Sequence, residues 1–205
     1  MASQTFLNLP KEKQNMLIMA AIKEFSRVSF EDASINKIIK EVGVPRGSFY
    51  MYFVDKRDLY NYIVDQYIEQ IFVDRIKLLK KHKGDLFNTY IDLFELLSKQ
   101  IQKKERRDFF RNIFLNINYE NEGRFLGNCD ETKNRVEQYI KLIDKNKLNY
   151  KNEDDLKFIN NMYMITMMHS IAETVINPEQ IEDIRKAYYV RLSLLKNGTY
   201  KERGD

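Results

Sequence analysis

Cysteine, proline and glycine are all scarce in this chain of 205 residues, which has one Cys, three Pro and seven Gly. The lone Cys129 excludes an internal disulfide framework and fits a reducing compartment. So few turn formers argue against a sheet protein of this length and for helices joined by short loops. No run of about 18 apolar residues is present to span a bilayer. No charged-then-apolar leader marks export, so a cytoplasmic protein is expected. Two His and one Cys stand at no metal-ligand spacing, and neither metal nor other cofactor is expected. Catalytic parts are missing too: the sequence has no Gly-rich phosphate loop, nucleophile elbow or HExxH, so an enzyme is not expected.

What remains is a balanced globular composition, 43% hydrophobic and 31% charged, with a net charge of +4. That charge is too small to identify a nucleic-acid binder by itself, so positive groups facing DNA would have to be concentrated locally. Apolar residues recur at three- and four-residue spacing almost throughout. The first helix starts near Pro10 and carries Leu17, Ala21, Ile22 and Phe25. Ser34 is a plausible N-cap for a second helix with Ile35, Ile38 and Ile39 inward. Gly43 supplies a turn, and Pro45 opens a short third helix with Phe49 and Phe53 inward. Asp55 caps a long fourth helix, with Asp58 in its first turn, which Gly84 and Asp85 break. Five larger helices follow, the third of them from about Asp130 to Lys147; Tyr119 to Cys129 is the most loop-like stretch, Asn152 caps the penultimate helix, and Asn197-Gly198 stops the last. The expectation is an all-α fold of about nine helices. Residues 1–54 are expected to form a small three-helix unit and residues 55–205 a larger all-helical domain, for which DNA binding and effector binding with dimerisation are the roles expected from the features below.

The function resides in the segment Val44-Pro45-Arg46-Gly47-Ser48-Phe49-Tyr50-Met51-Tyr52-Phe53. A helix that reads bases must enter a major groove about 12 Å wide and present polar or methyl-reading side chains. Arg46 can donate two hydrogen bonds to guanine, Gly47 and Ser48 are small, and Met51 suits a thymine methyl. Tyr50 and Tyr52 end in hydroxyls that reach phosphates, and Lys56 adds a cation at the mouth of the fourth helix.

These residues, with Ala20-Ala21, Phe25, Phe30, Ser34, Ile35 and Ile38 before them and Asp55-Lys56 and Leu59 after, closely resemble the DNA-binding domain of the TetR family. The family pattern, roughly G-V-S-K-G-T-L-Y-x-Y-F-x-S-K, runs in register without a gap. Three positions depart from it: Pro45 replaces the usual Ser or Thr cap, Ser29 stands where a Gly usually ends the first helix, and Ile39 replaces a customary Ala. The resemblance implies a homodimeric regulator on a near-palindromic operator. Ser34 then contacts phosphate, Arg46, Gly47, Ser48 and Met51 lie near bases, Tyr50, Tyr52 and Lys56 grip the backbone, and Pro45 sits at the helix entry.

The second domain is rich in large apolar side chains. A pocket for an apolar or aromatic effector is expected around Tyr90, Phe94, Phe110, Phe114, Tyr139, Tyr163, Met167 and His169. The last two helices are expected to form the dimer interface through Met162, Thr166, Ile184, Tyr188, Arg191 and Leu195. The expected function is an effector-released repressor. The alternatives are an activator, a regulator without an effector, and a helical scaffold carrying an incidental helix-turn-helix.

Overall fold

In a computed structural model the structure describes residues 2–115 and 130–200, with side chains over 2–113 and 135–200. The helices are α1 Gln4–Leu7, α2 Lys11–Arg27, α3 Ile35–Val42, α4 Arg46–Tyr52, α5 Lys56–Lys81, α6 Leu86–Ile101 and α7 Lys104–Leu115. After these come α8 Asp130–Ile140, α9 Glu153–Ile176 and α10 Ile181–Thr199, with short 3-10 turns at Lys145–Lys147 and Pro178–Gln180. The chain is all-α, and none of the described helices is long and apolar enough to cross a membrane. The Tyr119–Cys129 loop expected from sequence lies outside the described residues.

Two compact units form. The first comprises residues 1–70 and 103–116, the second residues 71–102 and 117–205. The hydropathy pattern places a boundary between Val54 and Asp55; the first unit instead runs on to Gln70. The reason is aromatic packing. Tyr60 of α5 meets Phe25 edge-on at 5.1 Å and Phe30 at 5.0 Å, and Tyr67 lies 5.0 Å from Phe110 of α7. The first turns of α5 therefore have no core except that of the helix-turn-helix unit.

Within that unit α2 packs on α3 and α7, α3 on α4, and α1 on α4. Helix α1 has no counterpart in the sequence-based expectation, which starts the first helix near Pro10. Ser3 caps it through the Phe6 N–H, and buried Phe6 enters the aromatic cluster of Phe53 (4.8 Å) and Tyr62 (5.5 Å). Gln14, itself buried, donates to the carbonyls of Leu7 and Leu9 that α1 leaves open.

The end of α2 shows why Ser29 suffices where a glycine is usual. Val28, the C-cap, is extended (φ −141°) rather than left-handed. The Asn112 amide of α7 donates to Phe25 O at 2.7 Å and Val28 O at 3.0 Å, satisfying carbonyls that a glycine cap otherwise serves. Gly43 ends α3 in the left-handed region, as its place in the sequence predicts.

In the second unit α6 packs on α9 and α10, α9 on α10, and α8 on α9. Asp85 caps α6 through the Asn88 N–H, and Asn152 caps α9 through the Asp155 N–H. The helix expected to run from Asp130 to Lys147 stops at Ile140, because the chain must turn to bring Asp144 against Gly84. The last helix runs through Asn197 and Gly198 to Thr199. The Tyr200 hydroxyl donates to Asp85 Oδ1 (3.1 Å) and accepts from the Phe87 N–H (2.9 Å), a tertiary anchor that overrides the local stop signal.

Gly84 is the most closely packed of the described glycines. Its φ is +82°, and a Cβ placed there lies 2.4 Å from Asp144 N and 2.8 Å from Leu142 O. Both neighbours are backbone and cannot swing away. Gly84→Ala is expected to destabilise the second unit by about 2–3 kcal/mol, read as a lower urea midpoint at unchanged slope.

Candidate functional site

The helix-turn-helix places α4 so that one side is locked and the other is open. Phe49 and Phe53 are buried at 0% and 1% exposure, four residues apart on the inner side. Arg46, Gly47, Tyr50 and Met51 face solvent, Met51 at 61% exposure, and Ser48 and Tyr52 are half-buried. An exposed methionine on a helix whose other face is fully packed has no folding role there. A Cβ built on Gly47 meets nothing within 4 Å, so this backbone is approachable from outside. The Arg46 guanidinium stands 5.9 Å from the Tyr50 ring centroid, which keeps the cation on the open side of the helix.

The far end of α4 is tied down from the N-terminus. Ser3 N–H donates to Tyr52 O at 2.9 Å and Ser3 Oγ to Met51 O at 2.6 Å. Sequence reasoning missed this strap. The signal available for it was Ser3 followed three residues later by Phe6, a lone aromatic in a polar stretch.

Pro45 stands at the N-cap of α4 and supplies no side-chain hydrogen bond. Ser34 occupies the N-cap of α3, also without a capping bond from its hydroxyl; its N–H is instead held by Glu24 Oε1 at 3.1 Å. Glu24 meets Arg27 through two 2.8 Å bonds. Those hydrogen bonds, opposed by burial and aided by the Ser34 N–H, hold its carboxyl below the usual carboxylate range. Glu24 thus fixes the entry to α3 to the end of α2, a role sequence reasoning also missed.

Lys56 requires a correction. Its ammonium donates to Glu31 O (2.8 Å) and Ala33 O (3.0 Å) and sits 4.8 Å from the Phe30 ring. It braces the loop between α2 and α3 against the start of α5, and two of its three N–H donors are spent inside the protein. Asp55 and Asp58 cap that start reciprocally: Asp58 N–H donates to Asp55 Oδ1 (2.7 Å) and Val54 N–H to Asp58 Oδ2 (3.0 Å).

In the second unit, Tyr90, Phe94, Tyr139 and Tyr163 come together in one buried aromatic cluster, each fully inaccessible, and Met167 is likewise inaccessible. Tyr90 and Tyr163 lie 5.4 Å apart, and Phe94 stacks on Tyr188 at 4.2 Å. Burial pushes the Tyr163 phenol up to about 12. Two other expected pocket residues are not in this cluster. Phe110 belongs to the first unit, beside Tyr67. His169 is exposed on α9, its Nε2 3.5 Å from Glu173 Oε1 one turn on. The Phe114 side chain lies outside the described residues.

The expected interface residues also divide. Tyr188 is fully buried, its hydroxyl donating to Tyr90 O at 2.8 Å, and Ile184 is buried beside it. Both face their own core. Arg191 pairs with Glu173 (2.7 Å) and bonds Ser170 Oγ, while Thr166 and Leu195 are half-buried. Met162 is exposed, and with Phe158 and Ile165 it forms an open apolar stripe at three- and four-residue spacing on α9, whose last residue, Ile176, is also exposed. Val190 and Leu194 of α10 are exposed at 60% and 67%. The open apolar face thus lies to the side of the one expected from sequence. Both helices are apolar on two sides, and periodicity alone does not say which side turns inward.

A short helix with a packed aromatic back and an open face of Arg, Gly, Tyr and Met, preceded by a glycine turn and a second short helix, defines a helix-turn-helix transcriptional regulator that binds DNA. Residues 17–63 match the family model for bacterial regulatory proteins of the tetR family, and residues 85–199 match the tetracyclin repressor-like C-terminal domain. The chain belongs to the TetR family. It is 32% identical over 75 residues to the HTH-type transcriptional regulator YuxN of Bacillus subtilis, covering 37% of this chain and 25% of that protein. An HTH-type transcriptional regulator of Staphylococcus aureus strain USA300 is 34% identical over 70 residues, 34% of this chain and 37% of the relative. The matched stretch thus spans between a quarter and a little over a third of these relatives' length. Among solved structures, the transcriptional regulator FadR of Bacillus subtilis in complex with stearoyl-CoA aligns at TM-score 0.63 and 18% identity, over 90% of this chain and 98% of that one. The fatty acid degradation regulator FadR of Bacillus halodurans aligns at TM-score 0.60 and 21% identity, with the same coverage of each chain. At these identities the likeness is one of fold.

Proposed function

We propose that this regulator is a homodimeric repressor that holds a near-palindromic operator through α4 and releases it when a small effector with an apolar body occupies the second unit. The observation that carries the reading is the two-sided character of α4. Arg46 and Met51 are presented outward over Phe49 and Phe53, which are packed beyond any freedom to turn. Arg46 reads guanine, Gly47 and Ser48 allow close approach, Met51 meets a thymine methyl, and Tyr50 and Tyr52 hold phosphates. Ser34 stands at the start of α3 for a further phosphate contact, and Pro45 contributes shape without a donor. Lys56 acts mainly by bracing the unit, with one N–H left for the DNA backbone.

Two copies are needed because one seven-residue helix reads too few bases for a specific site. The exposed stripe of Phe158, Met162 and Ile165 on α9, with Val190 and Leu194 on α10, suits an isologous four-helix contact. The buried aromatic cluster of the second unit supports an effector site, and a structural neighbour's complex with stearoyl-CoA supports an effector with a long apolar portion. Release requires the effector to prefer one of two conformations; a complete switch takes about 5.5 kcal/mol of differential binding.

The dimer is tested at Ile165, half exposed within the stripe. Ile165→Glu places two carboxylates against apolar surface at the two-fold contact. It is expected to sediment as a monomer at micromolar concentration and to bind an operator fragment at least about 100-fold more weakly. A variant that remains dimeric and binds normally contradicts this placement of the interface.

A further inference from the structure

The core of the second unit contains a cation with no counter-ion among the described residues. Arg75 of α5 is 6% exposed. Its guanidinium lies 4.1 Å from the Tyr139 ring centroid and 5.7 Å from that of Tyr90, and donates to Asn160 Oδ1 at 3.1 Å. Among the described residues its Nε has no hydrogen-bond partner, and neither do the buried hydroxyls of Tyr139 and Tyr163, although the Tyr139 hydroxyl lies in the field of Arg75 and Tyr90 and that of Tyr163 near Thr199. Ser98 Oγ, two turns along α6 from Tyr90, is a fourth buried polar atom without a partner.

Each of these facts runs against folding. A guanidinium stays charged in a protein interior, so burial cannot neutralise it by deprotonation. Rings and a neutral amide compensate a buried charge only in part, and buried polar atoms are nearly always bonded. Asn160 does not require the arginine, because the Tyr90 hydroxyl also donates to its Oδ1 at 3.1 Å. Nor does the apolar core, which an aliphatic side chain of the same length would fill. A cation retained at such cost, together with idle phenol donors, matches the complement of an oxyanion.

We infer that Arg75, with the Tyr139 and Tyr163 hydroxyls, binds the carboxylate of an effector whose apolar body lies among the aromatic residues of the second unit. This inference rests on the effector reading and gives it a chemical class. One fixed positive charge and two phenols suit a singly charged carboxylate. A phosphate monoester brings a charge of roughly −1.5 to −2 at neutral pH and leaves part of it uncompensated.

The test uses the full chain and matched probes: decanoate and 4-phenylbutyrate, their neutral primary amides, and decyl phosphate. At about a hundredfold excess over Kd the acids are expected to raise the thermal unfolding midpoint by roughly 5 °C or more, and the amides to leave it unmoved. Arg75→Met is expected to raise the midpoint of the ligand-free protein and to abolish the response to the acids. Tyr139→Phe, which removes only an idle hydroxyl, is expected to keep the ligand-free midpoint and weaken acid binding severalfold. Amides acting as well as acids would overturn the carboxylate assignment and leave an effector site standing. A larger shift with decyl phosphate would overturn it in favour of phosphate. If no probe moves the midpoint, both the carboxylate and the effector reading fall. A ligand-free Arg75→Met protein markedly less stable than the parent shows that Arg75 is paired structurally, and this also overturns the inference.

Discussion

Phe53→Ala is expected to lower the stability of the helix-turn-helix unit by about 3–5 kcal/mol and to abolish DNA binding at physiological temperature. Phe53 is 1% exposed and sits where three elements meet: Phe6 of α1 at 4.8 Å, Phe49 of α4 at 6.1 Å and Tyr62 of α5 at 5.7 Å. The surrounding rings are held by separate helices, so the space left by truncation cannot close without moving one of them. A loss of that size is a large part of the stability of a small unit. Chemical denaturation followed by circular dichroism should show an early transition separating from that of the second unit. Phe53→Leu, which keeps most of the volume, should lose far less. A Phe53→Ala protein that unfolds in one transition at the parent midpoint would show that this cluster does not hold α4.

Arg46→Ala should leave the fold intact, since Arg46 is exposed and lies beside the Tyr50 ring, 5.9 Å away on the next turn. Its effect is expected in selectivity. If Arg46 bridges guanine O6 and N7, the variant loses about 1–3 kcal/mol, roughly 5- to 150-fold, at the operator that carries that guanine. Binding to the operator with that base pair changed should be nearly unaffected. The comparison of four operators, one for each base pair at the contacted position, separates this from a phosphate contact. A phosphate contact weakens all four equally and flattens the salt dependence.

The contrast between these two residues shows what the sequence makes legible. Phe49 and Phe53 stand four apart behind a glycine turn, so both the helix and its inward face follow from spacing, and the structure agrees. Asp55, Asn152 and Gly43 are local signals acting over three or four residues, and they act where the sequence places them. What the sequence hides is distant partnership. Nothing near Lys56 indicates that its ammonium will be spent on carbonyls 23 and 25 residues earlier. Nothing near Val28 indicates that Asn112, 84 residues on, will serve its carbonyl. The last two helices fail for another reason. Each is apolar on two faces, so Tyr188 and Ile184 fit an interface as well as a core until Phe94 and Tyr90 are brought against them. Arg75 escaped notice because one arginine on a long charged helix looks solvated; only burial distinguishes it from its neighbours.

Selection of bound fragments from random double-stranded DNA by the purified protein tests the central claim most directly. The account predicts enrichment of a near-palindromic site whose two half-sites are separated by about one helical turn, with a guanine in each that ceases to be selected when Arg46 is alanine. Recovery of no common sequence, or of a motif that the Arg46→Ala protein selects unchanged, would contradict it.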